Sequence, residues 1–127
     1  ASLSAPVVLG GGTQMAAVYA LMAKLSDEGA AGDLSKVALA TTSWVAADPA
    51  ADLKAILTAI SPTPPAFAAW LDFSASKLLG LRRYEEGLVK EGVGAGAAAF
   101  AAFGVTGIKH DAMVCAIELV TEGLDEL

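Results

Sequence analysis

An all-α fold is what this sequence predicts, and three observations predict it. The 127-residue chain holds 28 alanines, and alanine loses no side-chain entropy on entering a helix. Apolar residues recur at i, i+3, i+4, i+7 spacing in several stretches. Gly, Pro and Asp fall where helices start and stop. The expected architecture is a compact bundle of six or seven short helices with a flexible N-terminal segment. Residues 1–12 read as an N-terminal arm or short strand, and 13–127 as a single helical domain without internal repeats.

Pro6-Val7-Val8-Leu9 suits a short strand or an extended arm. Thr13 is placed to cap a helix through Glu28, with Met15, Val18, Tyr19, Met22 and Leu25 on one face and Gly29 as its stop. Asp33 caps a second element, in which Leu34, Val37, Ala38, Thr41 and Val45 fit a helix face. The stretch 36–44 also fits a strand, since a short apolar run satisfies either period. Asp48-Pro49 is the clearest start signal, because Pro at the first helical position gives up an N–H that lacks a partner anyway. Leu53, Ile56, Leu57 and Ile60 then form a stripe, and Ser61-Pro62-Thr63-Pro64-Pro65 ends it. A helix from Pro64 to Gly80 would carry Phe67, Trp70, Leu71, Ser74 and Leu78 on one face. Leu81, Tyr84 and Leu88 continue helical spacing, with Glu86 and Lys90 as an i, i+4 pair. Ala97–Phe103 reads as a short helix closed by Gly104. A last helix spans Lys109–Glu122, with Met113, Ala116, Ile117 and Val120 inward and Gly123 as its stop.

Composition bounds function. The chain is 55% hydrophobic and 17% charged, with a mean hydropathy of +0.58. A domain this small buries only about 60–70% of its unfolded surface. The apolar surplus is concentrated in the uncharged stretches 1–23, 55–71 and 92–108, which predicts contacts with other copies of the chain. No stretch reads as a membrane span, because 92–108 is short of the roughly 20 residues required. The net charge of −6 counts against a nucleic-acid binder, which needs a positive footprint. A lone cysteine, Cys115, excludes an internal disulfide and reads as a small buried hydrophobe.

Few residues suggest chemistry. Gly10-Gly11-Gly12-Thr13 lies between an apolar run and a helix. With 36–41 as a second strand it would form a βαβ nucleotide unit holding a phosphate at the helix N-terminus. The fingerprint is incomplete, since Met15 stands where the third glycine of GxGxxG belongs, and a hinge with a helix cap explains the same residues. His110, beside Asp111, is five residues from Cys115, which is poor helical spacing for a shared metal. Asp48, Asp52, Asp72, Glu85 and Glu86 fall at caps or on solvated faces rather than as an acid–base pair. Lys77, Arg82, Arg83 and Lys90 are the only basic group able to meet RNA or phosphate, and an amphipathic helix with a solvated charged side is the better account of them.

Phe67-Ala68-Ala69-Trp70 and Phe100-Ala101-Ala102-Phe103 repeat one small pattern. The second, followed by Gly104-Val105-Thr106-Gly107-Ile108, resembles the Phe-Ala-Ala-Phe segment of coat proteins from flexuous filamentous (potexvirus-like) plant viruses. The helix from Met15 to Asp27-Glu28-Gly29 is similar to one in that family. The resemblance covers residues 15–113 and implies an all-α subunit polymerising around single-stranded RNA. Gly104 replaces the family's Asp, and Pro64, Pro65 and Ala66 stand where it has a basic residue, so no RNA-pocket residue carries over. The expected function is a self-assembling, coat-protein-like subunit, in a virion or the cytoplasm, without cofactor or metal. Its partners would be other copies of itself and single-stranded RNA. Phe67, Trp70, Phe73, Phe100 and Phe103 are its candidate contacts with subunits or an apolar ligand. The alternatives are a small helical module for an apolar ligand, and a phosphate-binding enzyme domain using Gly10–Thr13.

Overall fold

A computed structural model describes residues 5–30, 32–88 and 94–125. Its fold is α/β, which corrects the all-α expectation. Three parallel strands, β1 (Val7–Gly10), β2 (Val37–Thr42) and β3 (Ala66–Ala69), form a sheet of order β1-β2-β3. Helix α1 (Thr13–Asp27) connects β1 to β2. Two short helices, α2 (Ser43–Ala46) and α3 (Leu53–Thr58), lie between β2 and β3. Then follow α4 (Leu79–Glu85), α5 (Ala95–Thr106) and α6 (His110–Asp125).

Strand β2 is central, and all but one of its residues are buried. A parallel strand covered on both faces reads as a continuous apolar run, so it lacks the alternation that would separate it from a helix. Val37 and Leu39 point to one face, where they meet Ala16, Tyr19 and Ala23 of α1 and Leu53 and Leu57 of α3. Burial raises the Tyr19 phenol above its ordinary pKa. Ala38 and Ala40 alternate to the other face, which α5 crosses in contact with all three strands. There helix and sheet approach closely. A Cβ built on Gly96 would collide with the backbone of Thr41.

Strand β3 overturns the helix expected over 64–80. Ala66-Phe67-Ala68-Ala69 is helix-forming by propensity, but it pairs with β2 in the register Leu39↔Ala66 to Thr42↔Ala69. The ladder satisfies backbone groups that a four-residue helix could not, and tertiary context overrides propensity. Residues 70–78 continue without regular structure. Asp33 caps a single 3-10 turn, Leu34–Lys36, by accepting from the Ser35 N–H at 3.1 Å. The chain then enters β2 rather than a helix.

Other boundaries move. Asp48 accepts from the Ala50 N–H, but α3 begins later, behind Asp52, whose side chain accepts from the Ala55 N–H. Helix α5 passes through Gly104 and stops at Gly107, where φ is +65°. Helix α6 passes through Gly123. Met113 is buried, Ile117 packs partly against the second cluster, and Ala116 and Val120 are exposed. Cys115 is exposed, against the expectation of burial. It lies two residues, or roughly 200°, around the helix from Met113.

Candidate functional site

The carboxyl edge of a parallel sheet is where ligands meet α/β proteins, because loops leave the strands there and helix N-termini point back at the crevice. In this chain that edge is built by Gly10-Gly11-Gly12-Thr13 after β1, by Thr42-Ser43-Trp44 after β2, and by Trp70 after β3. The Gly11 N–H donates to the Ala40 carbonyl at 3.0 Å, tying the turn to the central strand. Gly11 has a φ of +147°, a conformation that suits glycine. A Cβ on Gly12 would lie 2.6 Å from Val45 Cγ1 of α2, so the turn also needs a glycine for space. A Cβ on Gly10 would lie 2.8 Å from the Ala97 Cβ, which places the start of α5 against the same turn.

Gly12, not Thr13, is the N-cap of α1, and no capping side chain meets the helix start. The four first N–H groups of a helix lack intrahelical acceptors. Together with the helix dipole they favour an anion. The turn is half-buried rather than sealed. Thr42, at the end of β2, is occupied differently, since its hydroxyl oxygen caps α2 by accepting from the Val45 N–H at 3.4 Å.

An aromatic group sits beside this edge. Trp44 stacks on Phe73 with ring centroids 5.3 Å apart and lies 5.1 Å from Tyr84, while Phe73 meets Tyr84 edge-on at 5.9 Å. Glu85 braces the group. Its carboxylate accepts from the Trp44 indole N–H at 3.2 Å and from the Phe73 N–H at 2.8 Å. A hollow of about 390 Å³ opens among Thr42, Trp44, Leu71, Tyr84, Ala98 and Met113. Trp44, Tyr84 and Glu85 were not singled out for this role in the sequence. They are spread over 42 positions, Trp44 on α2 and Tyr84 and Glu85 on α4, and only the tertiary fold brings them together.

The sequence-derived candidates separate. Phe73 is buried, and Phe103 packs against the same cluster. Phe67 stacks on Phe100 at 4.7 Å, and Trp70 is 72% exposed. Lys77 and Arg83 are exposed, and the Arg82 guanidinium donates to the Ser76 carbonyl at 2.7 Å. Lys90 lies outside the described residues. Among the described residues, no group of three His, Cys, Asp or Glu side chains could hold a metal ion. His110 Nδ1 lies 3.1 Å from an Asp111 oxygen, and its Nε2 is closed off from solvent with no partner among the described residues. No described helix is long and apolar enough to cross a membrane.

Asp72 holds the segment after β3. Its carboxylate accepts from the Ser74 N–H at 2.8 Å, and hydrogen bonds to Ser74 hold it below the ordinary carboxylate value. A lowered folded-state pKa contributes stability that is complete above the unfolded value and is lost as pH falls through the folded one. Asp72→Asn is therefore expected to lower the melting temperature at neutral pH. The difference from wild type should begin to shrink below about pH 3.8 and be gone once pH has fallen through the lowered folded-state value. A series of thermal melts between neutral pH and pH 2 reads this directly, and an unchanged difference at low pH would refute it.

No protein-family profile matches the chain. Individual relatives do. A UPF0284 protein of Gloeobacter violaceus is 48% identical over 119 residues, covering 93% of this chain and 31% of the relative. One from Rippkaea orientalis is 42% identical over 128 residues, covering 100% and 34%. One from the archaeon Thermococcus gammatolerans is 51% identical over 96 residues, covering 76% and 27%. These are proteins of cellular organisms, so the resemblance to viral coat proteins is overturned, and with it the capsid and virion role. The Phe-Ala-Ala-Phe match is a coincidence of an alanine-rich chain: its first copy is a strand and its second lies in a helix. The chain spans about a third of the length of the relatives it matches, and it is to this stretch of the UPF0284 proteins of cyanobacteria and archaea that it is similar.

Proposed function

We propose that the Gly10–Thr13 turn binds the phosphate of a nucleotide or another phosphorylated small molecule, as the anion-binding part of an enzyme that meets its substrate in the cytoplasm. One observation carries this reading. A three-glycine turn leads from a parallel strand into a helix whose first N–H groups have no capping side chain. Such an end supplies donors and positive potential without requiring a basic residue. The net charge of −6 is no obstacle, because the interaction is local and falls off within the first helical turn.

Titration with inorganic phosphate and with a nucleoside monophosphate, followed by amide NMR, tests the reading. Shifts should concentrate at Gly11, Gly12, Thr13 and Gln14. Thr13→Glu sets a carboxylate in the first turn of α1, where the dipole favours it, so the fold is kept while an incoming phosphate is repelled. Binding should be lost without a fall in melting temperature. No shift at about 10 mM of either ligand, weaker than any millimolar site, would remove the reading.

A second reading is a small apolar ligand in the hollow beside Trp44. It is favoured by the volume of about 390 Å³, which falls in the range of small-molecule sites.

A further inference from the structure

The outer edge of β3 is built as though the sheet continued. Among the described residues, β3 pairs only with β2. Leu39 donates its N–H to the Pro65 carbonyl, and Leu39 is level with Ala66. In a parallel ladder this register turns the N–H and C=O groups of Ala66 and Ala68 away from β2. Those two residues and Phe67 are exposed, whereas Leu39–Thr42 beside them are buried. Edge strands are ordinarily protected by a charge, a proline or a bulge within the strand. Ala66-Phe67-Ala68-Ala69 has no charge and no proline.

Both faces beside this edge are hollow. On the α3 side a hollow of about 300 Å³ lies among Ala66, Ala68, Leu53 and Leu57. On the α5 side one of about 530 Å³ lies among Trp70, Phe100 and Phe103. Phe67 and Trp70 remain 44% and 72% exposed. Parallel sheets are normally covered on both faces, and sheets most often hold four to six strands. The relatives supply the missing material, since the matched stretch is 27–34% of their length.

We infer that the open edge of β3 receives a further β-strand, and that this strand comes from the two thirds of the UPF0284-like chain lying outside the matched stretch. Main-chain hydrogen bonds to Ala66 and Ala68 fix it. Its alternate apolar side chains enter the two hollows, the usual division of labour when a strand is added to a sheet edge. The apolar surplus of the composition is then an interface to the rest of a longer chain.

Hydrogen–deuterium exchange tests this in two proteins. One is the 127-residue chain. The other is the full-length Gloeobacter violaceus relative with its matched stretch replaced by this sequence, alongside the unaltered relative as a fold control. The outward-facing amides of Ala66 and Ala68 should exchange about 100-fold more slowly in the full-length protein, with 37–42 protected in both. Ala68→Pro removes only an outward-facing N–H. It should lower the melting temperature of the full-length protein and leave that of the 127-residue chain unchanged. Equal exchange at Ala66 and Ala68 in the two proteins overturns the inference. So does equal damage by Ala68→Pro. Protection of Ala66 and Ala68 in the 127-residue chain through dimerisation overturns it as well, because the occupant would then be a second copy.

Discussion

Gly96→Ala is expected to destabilise the protein by about 3 kcal/mol, lowering the melting temperature by roughly 10 °C. Alanine normally improves a helix, so the sign itself is diagnostic. Here the added methyl would be driven into the backbone of Thr41. Backbone in a central strand cannot rotate away as a side chain can, and β2 is held by β1 on one side and β3 on the other. Helix α5 would have to lift from all three strands at once. Gly104→Ala is the control. It lies in the same helix, and a Cβ there meets nothing within 4 Å. It should stabilise by about 0.5–1 kcal/mol through helix propensity alone. Urea denaturation of the pair decides the matter. A stabilising Gly96→Ala would mean that α5 does not sit on the sheet at this distance.

Phe73→Ala is expected to cost about 3–5 kcal/mol. The side chain is 3% exposed. It packs against both the Trp44 and the Tyr84 rings, which also meet each other, in the cluster that joins β3, α5 and α6. Its removal also enlarges a hollow that is already present, so the surroundings have little left with which to collapse. The loss should appear in the urea midpoint and as a weakened near-ultraviolet signal from Trp44. A cost below about 1 kcal/mol, typical of surface substitutions, would show that the second cluster is not assembled as described.

The first third of the chain was the most legible. Helix α1 is legible as a helix, but its buried face is set by Ala16, Tyr19 and Ala23, while Val18 and Leu25 of the expected face are exposed. The Gly10–Thr13 turn was visible because its glycines answer local needs, a positive φ and a close neighbour. Strand β2 was ambiguous, since burial on both sides erases the alternation that identifies a strand. Strand β3 was illegible. Nothing in Ala66-Phe67-Ala68-Ala69 favours extension, and its conformation is imposed by Leu39–Thr42, about 27 residues upstream. Gly96 and Gly104 look alike in the sequence, yet only one touches the sheet. Glu85 looked like a solvated charge and turns out to anchor Trp44 and Phe73.

The position of α5 bears on how the protein is made. Its small face lies on β1, β2 and β3, strands that leave the ribosome long before it does. Among the described elements, α5 is the one in contact with all three strands, so it covers this face only after residues 95–106 have been made. Contacts between Gly10 and Ala97 close a loop of nearly ninety residues, whose entropy must be lost before any packing returns it. A chain with so many distant partners folds more slowly than a helical bundle of the same size. Within this stretch, the α5 face of the sheet is therefore completed late in synthesis.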